Sequence, residues 1–150
     1  METQPYYLVI DVEATCDEDH RIPREQTEII EVGAVLCDAT NLNPQAEFQT
    51  FVKPMRHPRL TPFCVQLTSI RQVDIDGAPG FAQAMSALAQ FLNEQGVMGR
   101  FTFCSWDDYD RQQFSQNERH VSIRAPLKSQ HINLKEAFLR RSGDGSKLGV

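Results

Sequence analysis

Cysteine is sparse and never paired along the chain. Cys16, Cys37, Cys64 and Cys104 are the four present, with no Cys-x-x-Cys unit and no Cys/His cluster at zinc spacing. A zinc ribbon or finger is thereby excluded, and the expected state is reduced, partly buried thiols. No apolar run approaches the ~20 residues that a spanning helix needs, so no membrane association is expected. Met1-Glu2-Thr3-Gln4-Pro5 has neither a basic start nor an apolar stretch, so no secretory leader is read there, and the expected compartment is cytoplasmic. Glycine and proline number 8 each in 150 residues, which excludes collagen-like and low-complexity chains. There is no internal repeat and no linker.

The remaining composition is that of a globular protein: 41% hydrophobic, 23% charged, net charge −5. Residues 1–150 suit one domain, able to bury roughly two-thirds of its unfolded surface without a disulfide or structural metal. The charge is uneven. Residues 1–99 carry 6 Lys+Arg against 14 Asp+Glu, whereas residues 100–141 carry 8 against 5. An acidic chain with basic groups gathered on one face remains compatible with a nucleic-acid partner.

Tyr6 to Glu13 is a nearly continuous apolar, β-branched and aromatic run, which predicts a strand buried on both faces. Thr27 to Cys37 and Ala46 to Val52 predict two more strands. Pro54, Pro58 and Pro62 then impose irregular backbone. Residues 61–67 predict a short helix, with Thr61 as N-cap and Pro62 at its first position. Phe81, Met85, Leu88 and Leu92 recur at i, i+4, i+7 and i+11, one face of an amphipathic helix that ends near Gly96. Phe101 to Cys104 predicts a fourth strand. A helix starting at 106–108 and running to about Glu118 follows, then an extended stretch at His131–Leu134 and a helix through Leu139. Strands in a meander followed by strand–helix alternation predict an α/β or α+β three-layer plan.

Two acidic groups carry chemistry. Asp11 and Glu13 alternate in the first strand, so their carboxylates share a face. Buried without a partner, they would be costly or protonated, and a hard divalent cation such as Mg²⁺ or Mn²⁺ resolves that cost. On these residues alone a second reading stays open, in which the strand ends near Ile10 and both acids are solvated. Asp107, Asp108 and Asp110 form the second group, beyond the fourth strand, where ligands gather in α/β sheets. The helix macrodipole alone would also favour acids at Asp107 and Asp108.

Further strings accompany these acids: Leu8-Val9-Ile10-Asp11-Val12-Glu13-Ala14-Thr15-Cys16, Glu28-Ile29-Ile30-Glu31-Val32-Gly33, Phe51-Val52-Lys53-Pro54, Leu60-Thr61-Pro62-Phe63-Cys64, Leu67-Thr68-Ser69-Ile70, Ser105-Trp106-Asp107-Asp108-Tyr109-Asp110 and His131-Ile132-Asn133-Leu134-Lys135. In this order and spacing, over about residues 6–139, the chain resembles the DEDD superfamily of 3′→5′ exonucleases, the group of RNase T and the proofreading exonucleases. Within it, it is most similar to the histone-mRNA and small-interfering-RNA 3′ exonuclease subgroup. The resemblance implies an RNase H-like α/β fold, a mixed five-stranded sheet with helices on both faces. It implies that Asp11, Glu13 and Asp110 hold two catalytic Mg²⁺ or Mn²⁺ ions. Asp110 is preferred over Asp107 and Asp108 because Phe114 follows it by four residues. It further implies that Ala14, Thr15, Cys16, Phe63 and Thr68 hold the 3′-terminal nucleotide of single-stranded RNA or DNA, with RNA favoured. Trp106 and Phe63 are candidates to stack a base, while Phe63, Leu67 and Ile70 can equally be read as core and Trp106 likewise.

Two ions about 4 Å apart clamp the attacking and leaving oxygens of a phosphodiester and lower the pKa of a bound water, and a general base takes that water's proton. In the His-type branch this base is a His with an Asp five residues on. The four histidines here, His20, His57, His120 and His131, are followed at that distance by Glu25, Pro62, Ala125 and Glu136. Asp144 is the one Asp after His131. The expectation is therefore a C-terminally truncated domain without its final helix. Losing a base typically costs roughly 10²–10⁴-fold in rate, so a catalytically incomplete binding module is the alternative. An uncovered sheet face would be apolar, and a homodimer is one way to cover it.

Overall fold

The computed structural model describes residues 3–127 and 130–142. Five strands form one sheet: β1 (Tyr6–Ala14), β2 (Ile29–Asp38), β3 (Pro44–Phe51), β4 (Phe101–Ser105) and β5 (His131–Asn133), in the order β3-β2-β1-β4-β5. β1 pairs antiparallel with β2, and β2 with β3. β4 lies parallel to β1 and to β5. The mixed sheet is the RNase H-like arrangement. β1 is central because its side chains are apolar on both faces up to Ile10.

The helices are α1 (Pro62–Thr68), α2 (Gln72–Asp76), α3 (Phe81–Glu94), α4 (Tyr109–Val121) and α5 (Leu134–Ser142). Leu8, Ile10 and Val12 of β1 join Val32, Ala34 and Leu36 of β2. With Phe81, Met85, Leu88, Leu92 and Phe114 from α3 and α4 they close the main core. On the opposite face Tyr7, Val9, Cys37, Cys104 and Ile132 border a cleft of about 510 Å³, edged by Leu134 and Ala137 of α5. A second, smaller core of Ile30, Leu60, Cys64, Ile70 and Ile75 roots α1 and α2 beside the carboxyl end of β1.

Most sequence expectations coincide with these elements. Thr61 caps α1, its Oγ1 accepting the Cys64 N–H at 3.1 Å. The helix expected from 106–108 starts at Tyr109, because Ser105 to Asp108 turn back on themselves. Ser105 Oγ donates to the Asp107 carbonyl, and the Asp108 N–H donates to Asp107 Oδ1. The strand expected from Thr27 begins at Ile29. Thr27 sits in a turn instead, its hydroxyl bonded to the Arg24 carbonyl. α2 has no counterpart in the sequence reading: five residues are too short for an amphipathic period to register. The four cysteines are free, as expected, with Cys64 and Cys104 buried and Cys16 and Cys37 partly so. Asp144 lies outside the described residues.

Candidate active site

β1 outruns β4. Their pairing ends at Val9 and Cys104, so the edge of β1 from Asp11 onward has no strand beside it. The first turn of α4 fills that place. Asp110 is only 6% exposed, and its Oδ1 accepts the Val12 N–H at 3.1 Å. A side chain thus continues the ladder where the backbone of β4 has turned away. This single bond brings Asp110 next to the strand that carries Asp11 and Glu13. The period of two places the latter pair on the face opposite Ile10 and Val12, so the first reading of these acids, an in-strand pair, is the one the structure has.

The electrostatics agree with the geometry. Burial, with Asp11 and Asp107 nearby, pushes the Asp110 carboxyl up to about 6 against the Val12 hydrogen bond that opposes it. Burial raises the Glu13 carboxyl too, and Asp11, Glu31 and Asp110 push it the same way. Glu31 lies directly opposite Glu13 in the β1–β2 pairing, a like-charge cross-strand pair that is unfavourable by itself. Asp107 and Asp108 behave differently. Both carboxyls are held below the usual range, Asp107 chiefly by the Asp108 N–H and Asp108 chiefly by Arg111. They are solvated, satisfied acids that organise the β4–α4 turn.

The donor set has the chemistry a divalent cation requires. Asp11, Glu13 and Asp110 offer hard oxygen donors, and Glu13 and Asp110 are held up in pKa partly by neighbouring negative charge, which a cation would relieve. Among the described residues no group of three or more Asp, Glu, His or Cys converges as a ready cage. One oxygen of Asp110 is engaged by Val12. The set fits a divalent ion held by Asp11 and Glu13 with the remaining oxygen of Asp110.

The residues implied as nucleotide contacts divide. Ala14 and Thr15 are buried, and the Thr15 hydroxyl accepts the Glu28 N–H at 2.9 Å. The Thr15 hydroxyl is thereby engaged within the fold, and Ala14 has only its backbone to offer. The Cys16 carbonyl accepts from Thr61 Oγ1 at 2.6 Å, tying the end of β1 to the cap of α1. Burial and the neighbouring Cys64 push the Cys16 thiol up to about 12. Phe63 is 36% exposed and Leu67 is exposed, whereas Ile70 is buried; of these three, only Ile70 belongs to the core. The Thr68 hydroxyl turns back on its own helix, donating to the Cys64 carbonyl and accepting the Ile70 N–H. Trp106 is half exposed and leans on Phe138 of α5, ring centroids 6.3 Å apart.

Two features escaped the sequence reading. Tyr109 is 44% exposed and lines a cleft of about 340 Å³ with Thr15, Cys16, Asp17, His20 and Arg24. Gln113 and Asn117 are buried beneath the site: Asn117 Oδ1 accepts the Ile29 N–H, and Gln113 Nε2 donates to the Thr27 carbonyl. They share the inward face of α4 with Asp110 and Phe114, a helical period that could have found them. Of the histidines, His57 bonds Gln26 and His120 bonds Arg56. His131 bonds Ser105 Oγ at 2.7 Å.

The exonuclease family, of RNase T type, matches residues 8–146. ERI1 exoribonuclease 3 of Mus musculus is 31% identical over 151 residues, which cover 97% of this chain and 44% of that protein. The 3′-5′ exonuclease Snipper of Drosophila melanogaster is 30% identical over 125 residues, 73% of this chain and 44% of that protein. Among solved structures, the nuclease domain of 3′hExo, described as a DEDDh family member bound to rAMP, aligns with a TM-score of 0.84. Its identity is 25%, covering 93% of this chain and 72% of that one. Cell-death related nuclease 4 aligns with a TM-score of 0.84 at 27% identity, covering 98% and 51%. The chain spans less than half the length of these curated relatives.

Proposed function

We propose, from the premise that this chain belongs to the exonuclease family, that it carries a 3′→5′ exonuclease of single-stranded nucleic acid. It releases nucleoside monophosphates and takes RNA in preference to DNA. The observation that carries this reading is the bond from the Val12 N–H to Asp110, which sets that acid against the strand carrying Asp11 and Glu13, with raised pKa values at Glu13 and Asp110 that a cation would bring down. The preference for RNA is supported by the relatives named as exoribonucleases and by the rAMP bound to the 3′hExo nuclease domain.

Asp11, Glu13 and Asp110 would hold Mg²⁺ or Mn²⁺. When bound, such ions stabilise charge on the phosphate oxygens and lower the pKa of a water. The chain's own groups do the rest. Asp110, held by Val12, fixes the distance between α4 and β1. Phe63, Leu67 and Tyr109 present exposed apolar and aromatic surface near the site on which a terminal base can rest. The end of β1, clamped by the Thr61–Cys16 bond, offers its backbone.

One observation favours a second reading, binding without turnover. None of the four histidines has an Asp five residues on, those positions being Glu25, Pro62, Ala125 and Glu136. Degradation of a 5′-labelled single-stranded RNA with Mn²⁺, beside Asp11→Ala, separates the two. A ladder shortening from the 3′ end and lost in the variant is expected. Retained binding of the RNA with no shortening overturns catalysis by this chain in favour of the second reading.

A further inference from the structure

The solvent face of α4 leads away from the site, and its carboxylate contact lies at its start, where Gln112 Nε2 donates to Asp108 Oδ2 at 2.9 Å. At 3.6 residues per turn Tyr109, Gln112, Gln116, Arg119 and His120 fall on one side of the helix. Of the acids of α4, Asp110 is turned inward, and Glu118 accepts the Ala125 N–H and shares a cleft with Arg119. Two arginines from other elements border the same strip. Arg24 donates to Gln112 Oε1 at 3.1 Å. Arg56 donates through Nη1 to the Glu25 carbonyl at 2.8 Å and meets the His120 ring through Nε and Nη2. Neither guanidinium meets a carboxylate oxygen among the described residues. Arg24, Arg56 and Arg119 make no ion pair among the described residues, whereas Arg71, Arg111 and Arg140 each have one. Glu25 is the acid at its border.

Arginines without a carboxylate partner leave their charge to an external anion. Guanidinium groups suit phosphate, which they can meet with two parallel hydrogen bonds. The strip starts at Tyr109, the neighbour of Asp110, and runs roughly 16 Å along α4 at 1.5 Å per residue. That length holds several phosphates of a single strand. We infer that Arg24, Arg56 and Arg119 form a phosphate track, one that takes the body of a single-stranded nucleic acid whose 3′ end lies at Asp11, Glu13 and Asp110. The inference rests on the proposed exonuclease reading for the position of that end. A protein partner with an acidic segment is the other class of ligand such a strip could meet. The start of the strip at Tyr109, beside Asp110, favours the nucleic acid of the proposed reading over a run of carboxylates.

The test uses a fluorescent twelve-nucleotide oligouridylate in EDTA, which prevents turnover, with binding followed over a range of NaCl concentrations. For a single strand each phosphate contact contributes about −0.7 to the slope of log K against log salt. Arg56→Gln with Arg119→Gln should flatten the slope by about 1.4 and weaken binding about tenfold near physiological salt. Arg56→Lys, which keeps the charge, should retain most of the slope. Release of mononucleotide from a trinucleotide with Mn²⁺ should stay within about twofold in the double variant, because so short a strand ends before Arg56. An unchanged slope overturns the track while leaving the exonuclease reading intact. Arg56→Lys behaving like Arg56→Gln overturns it as well, since the residue would then act on the fold. Equal affinity for a polyaspartate peptide overturns it in favour of an acidic protein partner. An arginine-dependent slope in a chain that releases no mononucleotide supports the track and removes the exonuclease reading alone.

Discussion

Asp110 shows how one side chain serves position and chemistry at opposing costs. Its carboxyl titrates at about 6 in the folded chain against an ordinary 3.8. The folded state therefore binds a proton more readily than the unfolded one between those values. Stability from this group falls as pH rises through that window, and above it the full cost of the charge is present. Asp110→Asn keeps an oxygen for the Val12 N–H and removes the charge. At pH 7 without metal the variant should be more stable by about 1–3 kcal/mol, read by urea unfolding. From pH 5 to pH 7 the wild type should lose about 1 kcal/mol relative to it. The same variant should lose its response to Mn²⁺. Asn117 presents the opposite case, a buried amide whose loss strands a backbone donor. Asn117→Leu leaves the Ile29 N–H without its acceptor, and a cost of about 1–3 kcal/mol in the same unfolding assay is expected.

At the scale of elements, α1 depends on its first residue. Thr61 Oγ1 accepts the Cys64 N–H and donates to the Cys16 carbonyl, so one hydroxyl caps the helix and anchors it to the end of β1. Thr61→Ala should lower stability by about 1–2 kcal/mol and raise KM for RNA more than it lowers kcat, because α1 carries Phe63 and Leu67 while the carboxylates sit on β1 and α4. Elements of this kind were legible in advance. The run from Tyr6, the cap at Thr61 and the stripe from Phe81 to Leu92 each have a local period or local capping chemistry. α2 and the start of α4 were not, since five residues hold too little pattern and the β4–α4 turn is set by bonds among Ser105, Asp107 and His131 across two strands.

At the scale of the whole molecule, a cation should act as a ligand that stabilises the fold. At a hundred times its dissociation constant, Mn²⁺ should add about 2.7 kcal/mol, seen as a rise in Tm. Asp11→Ala should abolish that rise, while Asp107→Ala, outside the carboxylate group, should retain it. No described helix is long and apolar enough to cross a membrane.

The candidate site was half legible. Asp11 and Glu13 could be paired from the strand period alone. Asp110 could be separated from Asp107 and Asp108 only through the resemblance, and in the fold its burial against Val12 sets it apart from those two solvated acids. Side-chain roles for Thr15 and Thr68 could not be foreseen, because their hydroxyls are taken up by Glu28, Cys64 and Ile70, and no local pattern announces such bonds. The sequence by itself determined the strand that carries the acids, the amphipathic helix, the cap and the uneven spread of charge, because each depends on residues a few positions apart or on composition alone. Tertiary structure alone decided which acid is buried against β1, which hydroxyls are consumed and which arginines make no ion pair among the described residues. Those outcomes depend on groups up to 98 positions apart, whose meeting is set by the order of strands in the sheet.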